Sequence, residues 1–322
     1  MEIVDYVKHV NSQAKKGGNW PACLEYNVED DHVIIKMTKG FSKTEFRRLD
    51  SWGLAFLNQT ENECKIKIKK ILFNIPRNTE KINTLKYDLE SFKRRVSYLN
   101  INNEDLEFNV IYGNKYECLY TENQLFKRPD DEIAHEKLED RKDKDKPGRL
   151  EKDFQKFLFG KDSGKEYDDR TNERLAIIGF DFFNLKKKEL KMYREFPTGV
   201  FKGKISETTR ILPTEFIDIV TFNKWKQLSI IEIKLNDSQL EMISQILDYS
   251  LFFSCYIDKL LPIIKEKLGR KPHDKAKKII CCYVVNNHFH KKFDDIWKYY
   301  ITKNRSYNFE LKKVVLGYTE EY

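Results

Sequence analysis

Three charged side chains stand where a core strand would carry apolar ones. Residues 214–250 read as strand, short turn, strand and helix. The first strand carries Asp218 and the second carries Glu232 and Lys234. Side chains alternate along a strand, so Phe216, Asp218, Val220 and Phe222 share one face, while Ile230, Glu232 and Lys234 share a face of the next. Only a few residues join the two strands, so they should pair antiparallel. Asp218 and Glu232-x-Lys234 then converge on one side of the sheet. An unpaired charge on a central strand is costly, so these carboxylates need a partner. A divalent cation is the natural one: Mg2+ takes oxygen ligands, usually one or two carboxylates with waters and phosphate oxygens. Lys234 would hold or deprotonate an attacking water and offset charge developing on a phosphate. The following helix, capped by Ser238 with Glu241 completing a capping box, places Gln245 and Tyr249 one turn apart on one side.

The elements that must position these residues come from a chain of 322 residues, long enough for two ordinary domains. Its net charge is +8, with 40% hydrophobic and 34% charged residues, so a sizeable core is available and a polyanionic partner suits it better than an acidic one. No apolar run approaches the roughly 20 residues of a membrane span. The first residues show no basic and apolar regions of a signal peptide. The six cysteines form no CxxC pair and have no His at zinc spacing, so reduced cytoplasmic thiols are expected and a zinc site is not.

Residues 1–128 read as an α+β module without a catalytic signature. A short helix over 3–14 and a loop at 15–19 lead into strands at 23–28, 32–39 and 65–73, the last from the period-2 alternation of KIKIKKILF. A helix is expected within 41–56. A second helix over 82–99 shows Leu89, Phe92, Val96 and Leu99 at helical spacing. A hairpin turns at Gly113-Asn114. Residues 129–148 are dense in mixed charge and read as a linker or a solvated helix broken at Pro147. The second unit, 149–322, opens with a helix over 150–160 that carries Glu151 in its first turn. Extended segments follow at 174–185 and 190–201, the latter broken at Pro197. After the strand pair, the helix from Ser238 is expected to stop before Pro262. A strand over 279–285, apolar throughout, is expected to be buried on both faces. A helix over 289–301 and a strand over 309–318 complete the unit. Strand runs divided by helices imply a mixed sheet with helices on both sides.

The pattern D-x(13)-E-x-K, with Glu151 on the helix before it and Gln-x-x-x-Tyr after it, resembles the PD-(D/E)XK nuclease superfamily. The segment from Gln245 to Tyr249 is similar to the motif of its RecB-like branch. The resemblance covers residues 149–285 or slightly more. It implies an α/β fold with a restriction-endonuclease-like αβββαβ core around a mixed sheet. It also implies Mg2+-dependent phosphodiester hydrolysis leaving a 5′-phosphate, with Mn2+ able to substitute. Asp218, Glu232 and the carbonyl of Ile233 would then be metal ligands, and Glu151 a further one, direct or through water. Lys234 would be the catalytic lysine, and Gln245 and Tyr249 would orient it or contact phosphate. Three features depart from the pattern: no proline directly precedes Asp218, no histidine precedes Glu151 nearer than His135, and there is no four-cysteine cluster set.

Each signal has a plainer reading. Asp218 and Glu232–Lys234 could form a cross-strand ion pair on a solvated sheet face. Glu151 could simply favour a helix N-terminus. His288 and His290 suit a turn as well as a metal. The basic stretch 259–278, with Lys265, Lys267, Arg270 and Lys271, could be a solvated loop or a phosphate-binding surface. Lys224 and Trp225, at the turn between the charged strands, could contact a nucleic acid, with Trp225 stacking on a base, or Trp225 could cap the core. The leading expectation is a Mg2+-dependent deoxyribonuclease, in the manner of a restriction or anti-phage effector. Its N-terminal module would serve specificity, regulation, homo-oligomerisation or a partner protein. A catalytically silent nucleic-acid-binding or assembly protein and an RNA-directed nuclease are the alternatives.

Overall fold

The structure, a computed structural model, describes residues 21, 23–38, 43–77, 82–127, 131–133, 193–213, 215–222, 227–235, 239–268, 277–301 and 307–315. The expected helix over 3–14, the Glu151 helix, the strand over 174–185, Ser238, and the residues Lys224, Trp225, Arg270 and Lys271 lie outside the described residues. The architecture is mixed α/β, with mixed sheets and, among the described residues, five α-helices. None of those helices is long and apolar enough to cross a membrane. The chain forms two compact units. One comprises Met1–Lys127, Ile243–Asp248 and Lys291–Lys303. The other comprises Arg128–Met242, Tyr249–His290 and Asn304–Tyr322.

The first unit holds a five-stranded sheet in chain order. Strands β1 (Leu24–Glu29) and β2 (His32–Met37) form a hairpin, registered from Leu24↔Met37 to Glu29↔His32. Helix α1 (Lys43–Cys64) carries the chain to β3 (Lys70–Ile75), parallel to β2, and α2 (Ile82–Asn102) carries it to β4 (Glu107–Tyr112), parallel to β3. Strand β5 (Lys115–Tyr116) folds back on β4. Gly113 and Asn114 between them have φ of 54° and 70°, as a two-residue hairpin turn with both centres left-handed requires. Alternate residues of these strands are buried, including Tyr26, Ile35, Phe73 and Val110, so one face is covered. Phe56 of α1 stacks on Tyr26 at 4.4 Å, and Phe92 of α2 meets Phe73 edge-on at 5.2 Å. At Gly53 of α1, an added Cβ would lie 2.7 Å from Phe73 and 2.8 Å from Ile35. A short helix, α3 (Glu122–Phe126), follows behind a capping box at Thr121 and Gln124.

The expected strand over 65–73 is corrected: the ladder begins only at Lys70. Lys65 has φ of 60°, and Lys70 pairs with His32, the first residue of β2, so residues 65–68 have no ladder partner on β2 despite their alternation. Helix α1 also runs past the expected limit of 56 to Cys64.

A buried polar network ties helical segments of this unit together. The Arg95 guanidinium donates to both carboxylate oxygens of Asp50 at 3.1 Å, to the Phe46 carbonyl at 2.7 Å and to Asp248 at 2.6 Å. Asp50 also accepts from Ser244 at 3.0 Å and from Tyr300 at 2.8 Å. Arg95, Asp50, Ser244 and Tyr300 are all at most 1% exposed. Burial opposes the charge on Arg95, but Asp248 and Asp50 outweigh it and hold the guanidinium above its ordinary value. Burial, and then the neighbouring Asp50, push the Tyr300 hydroxyl well up.

In the second unit, β6 (Asp131–Ile133) pairs antiparallel with β8 (Val200–Lys202), which pairs with β9 (Arg210–Leu212). The charged stretch read as a linker therefore opens as a strand. Asp131 accepts a hydrogen bond from Tyr256 at 2.6 Å, and its carbonyl accepts one from Lys259 at 2.7 Å. A five-stranded sheet takes β7 (Tyr193–Pro197), β10 (Phe216–Phe222), β11 (Gln227–Lys234), β12 (Lys277–Asn286) and β13 (Phe309–Val315) in chain order. The first three are antiparallel neighbours, and the last two run parallel to β11. Helix α4 (Glu241–Lys267) separates β11 from β12, and α5 (Phe293–Tyr300) separates β12 from β13. Residues 228–233 and 280–286 are buried without alternation, the pattern of strands covered on both faces.

Two helix boundaries are corrected. Helix α4 starts at Glu241 behind Leu240, with no side-chain cap, not behind Ser238. It also runs through Pro262 to Lys267, leaving helical geometry only at Tyr256 (φ −114°, ψ 17°). Proline removes one backbone bond, but Leu260 and Ile264 on either side of it are buried, and packing of that apolar stripe holds the helix together. Helix α5 begins at Phe293, four residues later than expected, with Lys292 at its N-cap.

Candidate functional site

Strand β10 pairs with β11 at Ile219↔Ile231, Val220↔Ile230 and Thr221↔Ser229. Ile219↔Ile231 is the last pair of this register, and Asp218 and Glu232 are the residues just beyond it. The short connection and the alternating apolar residues fix that alignment, because a slip of one residue would turn each strand's charges to the other face. The Asp218 carboxylate accepts the backbone N–H of Ile233 at 2.7 Å. A hydrogen bond to an ionised acceptor is short and strong, so it locks the side chain across the strand pair.

Glu232 is 1% exposed. The Lys234 ammonium lies 2.9 Å from its Oε1, with the lysine side chain 19% exposed. A buried carboxylate requires such a counter-charge. The ion pair is therefore formed within β11, two residues apart, and lies on a covered face. The face that the plainer expectation took as solvated is covered at Glu232. Tyr249 of α4, 1% exposed, donates its hydroxyl to the carbonyl of Phe216 at 3.2 Å and so holds the first residue of β10, two positions before Asp218.

The second unit thus brings Asp218, Glu232, Ile233 and Lys234 together, with Tyr249 bracing the strand. Gln245 is half-buried, one turn before Tyr249, and falls in the α4 segment that belongs to the first unit. Lys265 and Lys267 occupy the last turn of α4, the first half-buried and the second exposed. At 1.5 Å per residue they stand about 24 Å or more along the helix from Tyr249. His288 donates its backbone N–H to Asn286 at 3.1 Å in the turn after β12.

One residue near the strand pair had no sequence signal. Strand β7 pairs with β10 at Ile217↔Phe196 and Ile219↔Arg194, which leaves Glu195 at the position opposite Asp218. Glu195 and Asp218 therefore share a row of β7 and β10, just beyond the last pair of β10 with β11. Glu195 has φ of 50°, a left-handed conformation that side chains other than glycine adopt at a cost. Neither its pairing nor its backbone conformation is readable from the sequence around it.

Among the described residues, no group of three or more His, Cys, Asp or Glu side chains is arranged to hold a metal ion. The donor set on the strand pair is two carboxylates and a backbone carbonyl, all oxygen. That chemistry suits Mg2+, which takes one or two carboxylates and fills its remaining positions with water or phosphate. It does not suit zinc, which prefers nitrogen and sulfur. In comparisons with known proteins, no family model, no curated protein and no solved structure matches this chain.

Proposed function

We propose that the second unit is a Mg2+-dependent nuclease acting on DNA. The observation that carries this reading is the Lys234 ammonium 2.9 Å from a Glu232 carboxylate sealed in β11, with the Asp218 carboxylate held by the Ile233 amide between them at 2.7 Å. The resemblance of Asp218, Glu232-x-Lys234 and Gln245-x-x-x-Tyr249 to the PD-(D/E)XK superfamily supports it. So does the strand order: an antiparallel trio, a helix, and a parallel strand beside the acidic one. Under this reading Asp218, Glu232 and the Ile233 carbonyl would hold Mg2+, which when bound supplies Lewis-acid polarisation of the scissile phosphate. Lys234 would leave Glu232, give an ammonium proton to solvent and take one from the attacking water, so that the ammonium formed again faces the charge that grows on phosphate. The apolar faces around β11 exclude bulk water and strengthen those interactions. Lys265 and Lys267 contact the DNA backbone away from the reacting bond, and the net charge of +8 favours the encounter.

The silent-fold alternative draws on the same ion pair, since Lys234 bound to Glu232 is also how a purely structural carboxylate would be neutralised. Incubation of the purified chain with plasmid DNA, and in parallel with labelled RNA, separates the readings. Cleavage of DNA that requires Mg2+ or Mn2+ and is abolished by Lys234→Ala is the expected result. No cutting of either polymer with either ion would overturn the enzyme reading, and cutting of RNA alone would reassign the substrate.

A further inference from the structure

The sheet face that carries Glu232 and Lys234 continues past β11. Residues registered across a parallel ladder project to the same side. Glu232 is registered with Val284 of β12, and Val284 with Lys313 of β13. These three form one row, and Lys313 stands two strand spacings, about 10 Å, from Glu232. Lys234 is registered with Asn286, the last residue of β12. The three strands run parallel, so Lys234, Asn286 and Lys313 gather at or near their carboxyl ends. In open α/β sheets, that is the end at which ligands bind.

The neighbouring lysine, Lys312, belongs to the other side of the sheet. It is registered with Tyr283, sets its ammonium over that ring at 5.6 Å and pairs with Glu310 at 3.6 Å. The half-buried Lys313 instead places its ammonium 4.8 Å from the centre of the Phe289 ring, in the turn after β12. Asn286, fully buried, accepts the His288 N–H at 3.1 Å and so fixes the turn that carries this ring. An aromatic face orients an ammonium without neutralising it.

We propose that Lys313 is a DNA-binding residue of the candidate site, contacting a backbone phosphate beside the scissile one. The place of the scissile phosphate rests on the nuclease reading of Asp218, Glu232 and Lys234; the contact itself needs no cleavage. A lysine meets phosphate as a point charge, blind to the bases, so Lys313 contributes affinity and not sequence preference.

The test is binding of a fluorescein-labelled DNA duplex to the full chain in EDTA over a range of salt, read by anisotropy. Lys313→Gln is expected to raise Kd about five- to ten-fold at ~0.1 M salt. It should also lower the slope of log Kd against log salt by about 0.9, the loss of one phosphate contact. Lys313→Arg should keep the wild-type slope. Lys312→Gln, on the other side of the sheet, should leave both quantities at wild type. Lys313→Thr carries the test if Lys313→Gln does not fold. The proposal fails if the slope does not change, if Lys312→Gln acts as Lys313→Gln does, or if the wild-type chain binds no DNA. In cleavage assays Lys313→Gln is expected to raise KM for DNA about five-fold with kcat within about two-fold; a fall in kcat at unchanged KM would overturn the assignment. If the wild-type chain cuts no DNA yet Lys313→Gln lowers the salt slope as expected, the nuclease reading falls and the phosphate contact stands.

Discussion

The two five-stranded sheets share a connectivity. In each, a hairpin leads through a helix to a parallel strand and through a second helix to another: β1–β2–α1–β3–α2–β4 in the first, β10–β11–α4–β12–α5–β13 in the second. Each hairpin also carries a charged residue on both of its strands, near the end of the second. In the first sheet these are Glu25 and Lys36, 3.8 Å apart with side chains about 60% and 58% exposed. In the second they are Asp218 and Glu232, the latter sealed from solvent. The first sheet is covered on one face only, so its pair sits in water and contributes little. The second is covered on both, so a carboxylate there demands a counter-charge. Like topology thus gives unlike chemistry, and the covering of the second face makes the difference.

The largest effect expected to follow that contrast is catalytic. Lys234→Ala should lower Mg2+-dependent cleavage by about 10²- to 10⁴-fold, whereas Lys36→Ala, the lysine of the other hairpin's pair, should leave the rate at wild type. Equal losses in plasmid-nicking assays would erase the distinction. Next is Gly53→Ala. Its methyl would press on Phe73 and Ile35, both fully buried, and should cost about 1–3 kcal/mol in denaturant unfolding of the first unit. At Glu195 of the second sheet the relation is reversed, because a side chain occupies a conformation suited to glycine. Glu195→Gly should raise the stability of that unit by roughly 0.5–1 kcal/mol, the relief of left-handed backbone exceeding the added chain entropy; a lower unfolding midpoint would contradict this.

The smallest effect concerns pH. Burial opposes the charge on Lys93, but the bond to Glu117 at 2.9 Å and the nearby Tyr120 and Glu90 prevail and raise its pKa above the ordinary 10.5. The folded state therefore binds this proton more tightly than the unfolded state. Its contribution is complete below pH 10.5 and is lost as the pH rises through the folded value. Wild type should lose stability above pH 10.5 faster than Lys93→Met in parallel melts.

The hairpin of β10 and β11 was legible from sequence because alternation, β-branched residues and a short connection all agree. The doubly buried β12 was legible from its unbroken apolar run. Where local signals compete with long-range pairing, the reading went astray. The lysine–isoleucine alternation from Lys65 satisfies the strand rule, yet among the described residues no strand pairs with residues 65–68. Pro262 carries a local stop signal, and the burial of Leu260 and Ile264 overrides it. Nothing in the sequence singles out Asp50, Arg95 and Asp248, since only tertiary assembly brings residues so far apart in sequence into one network. Glu195 lies at its position by virtue of a strand partner more than twenty residues downstream.

The discontinuity of the first unit bears on how the protein is made. Its strands and first three helices are complete once Lys127 has left the ribosome, but Ser244, Asp248 and Tyr300 come from segments much further along the chain. At roughly 5–20 residues per second, these partners arrive on the order of ten seconds later. Until then Arg95 and Asp50 have only one another and their near neighbours, and the apolar surfaces of α1 and α2 await the helices that cover them. Translation speed between residues 128 and 300 would set how long the N-terminal part of the first unit waits for them.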